Sequence, residues 1–195
     1  MSDQPQQGMN SEDGPKTKPS SAADFQRLWA QREHYTQLTK EHEILTRLVG
    51  RWKVKTDFDF GGYGPNFQAV GEQTSRLIFD GRFLESSMAV KFAGHEYESL
   101  SFTGFDNVIG KFQTVLFDRN TNGMAIVEGT WEEATESIRE WGEISNPMFR
   151  ARHDIALYRK FAGPDKVKVR ISIPDLEGKF FDYLTADLER IAVEP

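Results

Sequence analysis

The chain has 195 residues, within the ~100–200 usual for one domain. It has no cysteine, which excludes disulfides and thiolate metal sites. Its 24 basic and 30 acidic residues give a formal charge of −6, which argues against nucleic acid or an anionic membrane surface as the main partner. No apolar run approaches the ~18 residues of a membrane span, and the N-terminus lacks the basic-then-apolar pattern of a secretory signal, so the expected location is the cytoplasm.

Residues 1–20 are rich in Gln, Ser, Pro and Gly and hold no aromatic or β-branched aliphatic side chain. Such a segment buries too little apolar surface to offset the entropy of ordering, so a disordered tail is expected. Residues 21–49 read as a helix or a helix pair. Ser21 and Asp24 fit a capping box. Phe25, Leu28 and Trp29 form one stripe; Leu38, His42, Leu45 and Val49 form a second at helical spacing. The stripe weakens between them, where Thr36 and Thr39 disfavour helix, so a break near 35–39 is as well supported as one long helix. Gly50 stands where a left-handed cap is usual.

From residue 51 the period becomes two. Trp52, Val54, Thr56, Phe58 and Phe60 alternate with Lys53, Lys55, Asp57 and Asp59, the pattern of a half-buried strand. Nine further strand-like runs follow at about 68–79, 82–92, 96–105, 111–119, 123–131, 136–144, 150–161, 166–174 and 179–189. Short turn signals such as Asp80-Gly81, Asp106-Asn107 and Glu177-Gly178 separate them. Tight connections imply antiparallel neighbours. A mainly β fold follows: a ten-stranded antiparallel up-and-down barrel over 50–191, because closure removes both sheet edges. A barrel of this size can enclose a cavity.

The order of blocks then resembles a known family. His42-Glu43-Ile44-Leu45-Thr46-Arg47-Leu48-Val49-Gly50-Arg51-Trp52 looks like the opening of the bacterial domain of unknown function 1579 family. Gly81-Arg82-Phe83-Leu84, Phe102 to Asn107, Phe117-Asp118, Gly129-Thr130-Trp131, and Asp175 to Phe180 followed by Glu189-Arg190 resemble its later blocks. The family is similar to the calycin group of lipocalins, fatty-acid-binding proteins and nitrobindin-like haem barrels. The resemblance implies a calycin-like barrel whose interior takes small, mostly apolar ligands. It further implies that Trp52 lies under the barrel floor and stacks against Arg190, a structural closure.

Strand phase places Phe58, Met88, Leu116, Trp141, His153 and Ile171 inward, and these are the expected ligand-binding residues. The assignment is strongest over 166–174, where Val167, Val169, Ile171 and Ile173 oppose Lys166, Lys168 and Arg170. No catalytic residue and no metal site is expected. Glu41, His42 and Glu43 are consecutive on a helix and point ~100° apart, so they cannot converge on one ion. His42 is expected to pack at the barrel mouth. No cofactor is expected either; haem on His153 is the alternative, since a neutral imidazole inside a barrel can ligate iron. Glu132, Glu133, Glu136, Glu140 and Glu143 read as an exposed hairpin. Gly61 to Pro65 reads as a loop at the mouth.

The first functional expectation is a non-enzymatic barrel that binds a small apolar or amphipathic ligand in a cavity of several hundred Å3. The second is an enzyme on a small hydrophobic substrate, using His153 with a carboxylate such as Asp182. The third is an interaction protein whose Trp29 helix meets a partner or a second copy, as in a homodimer.

Overall fold

The computed structural model describes residues 18, 20–92, 94–146 and 150–192. The tail expected over 1–20 therefore lies outside the described residues, apart from Lys18 and Ser20. The chain divides into two units, Met1–Gln37 and Leu38–Pro195.

The first unit holds helix α1 (Ala22–Tyr35). Ser21 caps it: the Asp24 amide donates to the Ser21 hydroxyl (3.1 Å), and that hydroxyl donates to the Asp24 carboxylate (2.9 Å). Phe25 stacks on Trp29 with ring centroids 6.0 Å apart, and the Arg32 guanidinium sits 4.8 Å from the Trp29 ring. None of the helix's residues is buried.

The second unit opens with α2 (Lys40–Thr46), so the helical segment is a pair broken over 36–39. Thr39 begins the second helix, and its amide donates to His42 Nδ1 (3.1 Å). Ten strands follow: β1 (Gly50–Phe58), β2 (Phe67–Ile78), β3 (Phe83–Phe92), β4 (His95–Asp106) and β5 (Lys111–Asp118). The series continues with β6 (Met124–Glu132), β7 (Ser137–Asn146), β8 (Ala151–Phe161), β9 (Lys166–Pro174) and β10 (Phe180–Arg190). Each pairs antiparallel with its sequence neighbour, and β1 pairs with β10 from Trp52↔Arg190 to Phe58↔Leu184, which closes the barrel. Alternation explains the closure. Trp52, Val54, Thr56 and Phe58 point inward and are buried, while the lysines and aspartates between them stay outside. Outside, Lys168–Asp187 (2.8 Å) and Lys166–Glu189 (3.2 Å) form exposed cross-strand ion pairs.

One end of the barrel is sealed. Trp52 is fully buried, and its indole N–H donates to the Leu48 carbonyl (2.9 Å). The Arg190 guanidinium lies 4.1 Å from the Trp52 ring centroid. It also donates to the carbonyls of Val49, Arg47 (2.9 Å) and Pro164 (3.2 Å), and pairs with Asp165 (3.0 Å). Gly50 makes this possible: its φ is +127°, and a Cβ there would lie 2.7 Å from Arg190 Nη1. Leu45, Leu48, Phe112, Ile138 and Phe161 pack behind the stack. His42 lies at this sealed end, edge-on to Phe105 at 5.8 Å, rather than at the mouth as expected. The reason is chain length: only three residues join α2 to β1, so the helix can cover only the end where β1 starts.

Strand β7 also departs from expectation. It turns Ile138, Glu140, Gly142 and Ile144 inward, so Trp141 projects outward and is 54% exposed. The aromatic residue would favour the interior on hydrophobicity alone. The opposite phase wins because Glu140 is neutralised inside, as described below. The tight β6–β7 contact also needs Gly142, where a Cβ would lie 1.9 Å from the Ile126 carbonyl oxygen.

Candidate functional site

At the end opposite the Trp52–Arg190 stack, the barrel holds a chamber of about 280 Å3. Ile144, Ile155, Ile171 and Ile173 come from three consecutive strands and supply its apolar wall, with Leu116 opposite. Phe60 and Tyr63, from the loop after β1, stand over it with Phe181. Tyr97 and Tyr183 also line it, beside Asp118. Burial pushes both phenols up, and the Asp118 charge adds to this, so both stay protonated. Phe58 lies edge-on behind them, 5.6 Å from the Tyr97 ring and 6.1 Å from that of Tyr183. Beyond the apolar wall, Asn120, Thr121 and Ser145 line both this chamber and a polar surface groove that carries Arg119, Arg150 and Arg152.

Deeper inside is a second chamber of about 90 Å3. Tyr97, Leu116 and Ile171 line both, so the two adjoin. The inner one has a polar side formed by Gln73, Ser86, Ser99, Ser101, Thr114 and Arg159. Arg159 is 8% exposed and Glu140 is fully buried, and the two form an ion pair. Arg159 Nη1 donates to Thr103 (2.9 Å) and Nη2 to Thr114 (3.0 Å). The Thr114 hydroxyl donates to Glu140 (2.7 Å). The Thr103 and Thr114 hydroxyls lie 2.8 Å apart and share a hydrogen bond. This ring of bonds compensates the desolvation of two opposite charges.

The expected ligand-binding residues fall in four places. Met88 lines the inner chamber, while Leu116 and Ile171 line both. Phe58 is one layer behind the phenols. Trp141 is on the outer face and contacts neither chamber. His153 keeps the inward phase of β8 and is half-buried, but lines neither chamber. Asp182 is exposed, where it accepts from the Ser172 hydroxyl (2.7 Å) and pairs with Arg170 (3.6 Å). Glu140 was expected in an exposed acidic run; it is instead the buried partner of Arg159. The signal for this pair was present: Glu140 shares the phase of Ile138 and Ile144, and Arg159 that of Ile155, Leu157 and Phe161. Among the described residues, no group of three or more His, Asp or Glu could hold a metal ion, and no helix is long and apolar enough to cross a membrane.

The family model described as "Protein of unknown function (DUF1579)" matches residues 37–190. The chain belongs to this family. The match spans α2 and all ten strands, so the DUF1579 unit is the barrel together with the helix that seals it. Among solved structures, the chain is similar to the crystal structure of Rv2717c from M. tuberculosis, at 15% identity and a TM-score of 0.60. That likeness covers 80% of this chain and 100% of the other, and shows a shared barrel fold. A redesigned beta barrel also matches, at 12% identity and a TM-score of 0.38, over 76% of this chain and 96% of that one. No curated protein matches the chain.

Proposed function

We propose that this DUF1579 barrel binds one small amphipathic molecule in its open-end chamber. The observation that carries the reading is an isoleucine-lined space of about 280 Å3, at the lower edge of the usual ~300–1,000 Å3 range for small-molecule sites. The wall buries an apolar body, and the protonated phenols of Tyr97 and Tyr183 are available as hydrogen-bonding groups. With both phenols held protonated, these tyrosines suit binding rather than proton abstraction. The reading is a carrier or sensor.

Native mass spectrometry on protein purified without refolding, followed by denaturing release, tests it. A reproducible small-molecule mass, lost in an Ile171→Trp variant that fills the chamber, is the expected result. An apo mass alone, together with no effect of added amphiphiles on the protein's thermal midpoint, contradicts it.

A further inference from the structure

We infer that the ligand is a cationic amphiphile, and that its ammonium group sits against the Asp118 carboxylate among the aromatic rings of the open-end chamber. This rests on the proposed binding in that chamber and names the charge class of the molecule bound there.

The first observation is a carboxylate without a counter-charge. Asp118 is half-buried on the inward phase of β5, and among the described residues it is the one charged side chain lining the outer chamber. Its carboxylate accepts from the Asn120 amide (2.8 Å) and the Thr121 hydroxyl (3.4 Å), both neutral donors on the turn that follows. A carboxylate has about four acceptor positions, so capacity remains. Nearby arginines are committed elsewhere: Arg119 to Glu96 and Glu98 (3.3 Å each), Arg152 to Glu143 (2.9 Å), and Arg159 to Glu140. Arg150 lines the polar groove but neither chamber. A carboxylate partly withdrawn from water with no cation beside it is costly, so the position calls for one.

The second observation is the set of rings. Phe60, Tyr63, Tyr97, Phe181 and Tyr183 line the same chamber as Asp118. The backbone holds them there: the Tyr63 amide donates to the Phe60 carbonyl (3.0 Å), and the Asp59 amide to the Tyr183 carbonyl (3.0 Å). Phe60 meets Tyr183 edge-on, with ring centroids 5.7 Å apart. Gly61 has a φ of +60°, and a Cβ there would lie 2.8 Å from the Phe181 ring, so glycine lets that ring close on the loop. Aromatic faces attract an organic cation, and their pull adds to that of the acid.

Charge inside the barrel points the same way. Arg159 and Glu140 cancel each other, which leaves Asp118 as the one uncompensated charge on the described walls of the two chambers. After burial itself, that charge is what raises both phenols, so it acts directly on Tyr97 and Tyr183. A carboxylate ligand would meet like charge there, whereas an ammonium meets its counter-charge.

The test uses full-length protein labelled at isoleucine methyls and titrated with three probes of equal chain length: n-octylamine, 1-octanol and octanoate. At a pH of about 7 the amine carries its proton, as lysine does with its value of about 10.4, and octanoate is ionised. Ile144, Ile155, Ile171 and Ile173 report occupancy of the chamber. Octylammonium is expected to bind about tenfold or more tighter than octanol, the worth of one hydrogen bond to a charged group, with octanoate the weakest. Asp118→Asn keeps the side-chain size and an acceptor for the Asn120 amide but loses the charge. It is expected to abolish the preference for ammonium over alcohol and to leave octanol binding unchanged. If that variant fails to fold, the ranking of the three probes on the unaltered protein still decides.

Octylammonium binding no tighter than octanol overturns the inference, as does octanoate binding as tightly as octylammonium. So does an Asp118→Asn protein that keeps the preference. In those cases the chamber binding still stands. If none of the three probes shifts any chamber isoleucine, the proposed ligand binding itself fails, and this inference with it.

Discussion

The two ends of the barrel are built from the same ten strands with the same alternation, yet one is sealed and the other is hollow. At the sealed end the inward positions carry Trp52, Phe112, Ile138 and Phe161, and α2 adds Leu45. Large side chains there meet a charged plug, Arg190, whose hydrogen bonds go to the backbone carbonyls of Arg47, Val49 and Pro164. At the open end the inward positions carry Ile144, Ile155, Ile171 and Ile173, and among the described residues of this unit no helix covers them. Branched aliphatic side chains cannot reach across a ten-stranded barrel, so a space remains. Between the ends, a belt of hydroxyls and the Arg159–Glu140 pair makes the floor of that space polar. Side-chain size at equivalent strand positions, rather than strand geometry, decides where this barrel is packed and where it can bind.

That contrast makes substitutions at the two ends unequal. Trp52→Ala removes the largest buried side chain and the platform for Arg190, and is expected to cost ~3–5 kcal/mol. The urea midpoint, read with its slope, checks this. Arg159→Met, in the middle belt, strands a fully buried carboxylate and is expected to cost a similar ~3–5 kcal/mol. Most of that cost should return in the Arg159→Met, Glu140→Gln double variant, measured as a double-mutant cycle. At the open end the walls border space already. Ile173→Val is expected to cost only ~0.5–1.5 kcal/mol and to change ligand affinity more visibly than stability.

The smallest effect concerns pH. Burial holds the His42 imidazole below the ordinary histidine range, with Arg82 adding to this; Glu41 and the Phe105 backbone act the other way. The folded state therefore favours neutral His42, and the unfolded chain takes the proton first. Stability is expected to fall as pH drops below ~6.5, the unfolded value, and to level off once folded His42 is also protonated. His42→Gln should remove that part of the slope in urea midpoints measured on either side of ~6.5.

The sealed end was the more legible part of the sequence. Gly50, Trp52 and Arg190 stand in compact motifs, and the period-two alternation of residues 51–60 is nearly perfect. All ten strands were visible from alternation and turn residues, with bounds within a few positions of those observed. The open end and the middle belt were harder for a physical reason. Phase assignment by hydrophobicity sends charges outward, which placed Glu140 on the surface and Trp141 inside, although the Arg159 pairing reverses both. Tyr97 and Tyr183 sit on strands whose faces are mixed or bulged: β10 shifts register between Asp182 and Leu184, so a strict period of two misplaces Tyr183. Tyr63, Asn120 and Thr121 reach the chamber from loops, where periodicity carries no information, whereas Phe60 continues the inward alternation two residues beyond the end of β1.

One spectrum compares the two ends directly. Isoleucine-methyl shifts are recorded on the full-length protein before and after saturation with 1-octanol. Large shifts are expected at Ile144, Ile155, Ile171 and Ile173, with Ile138 at the sealed end unmoved. Shifts centred on Ile138, or none at the four chamber isoleucines, would contradict a barrel that is packed at one end and open to ligand at the other.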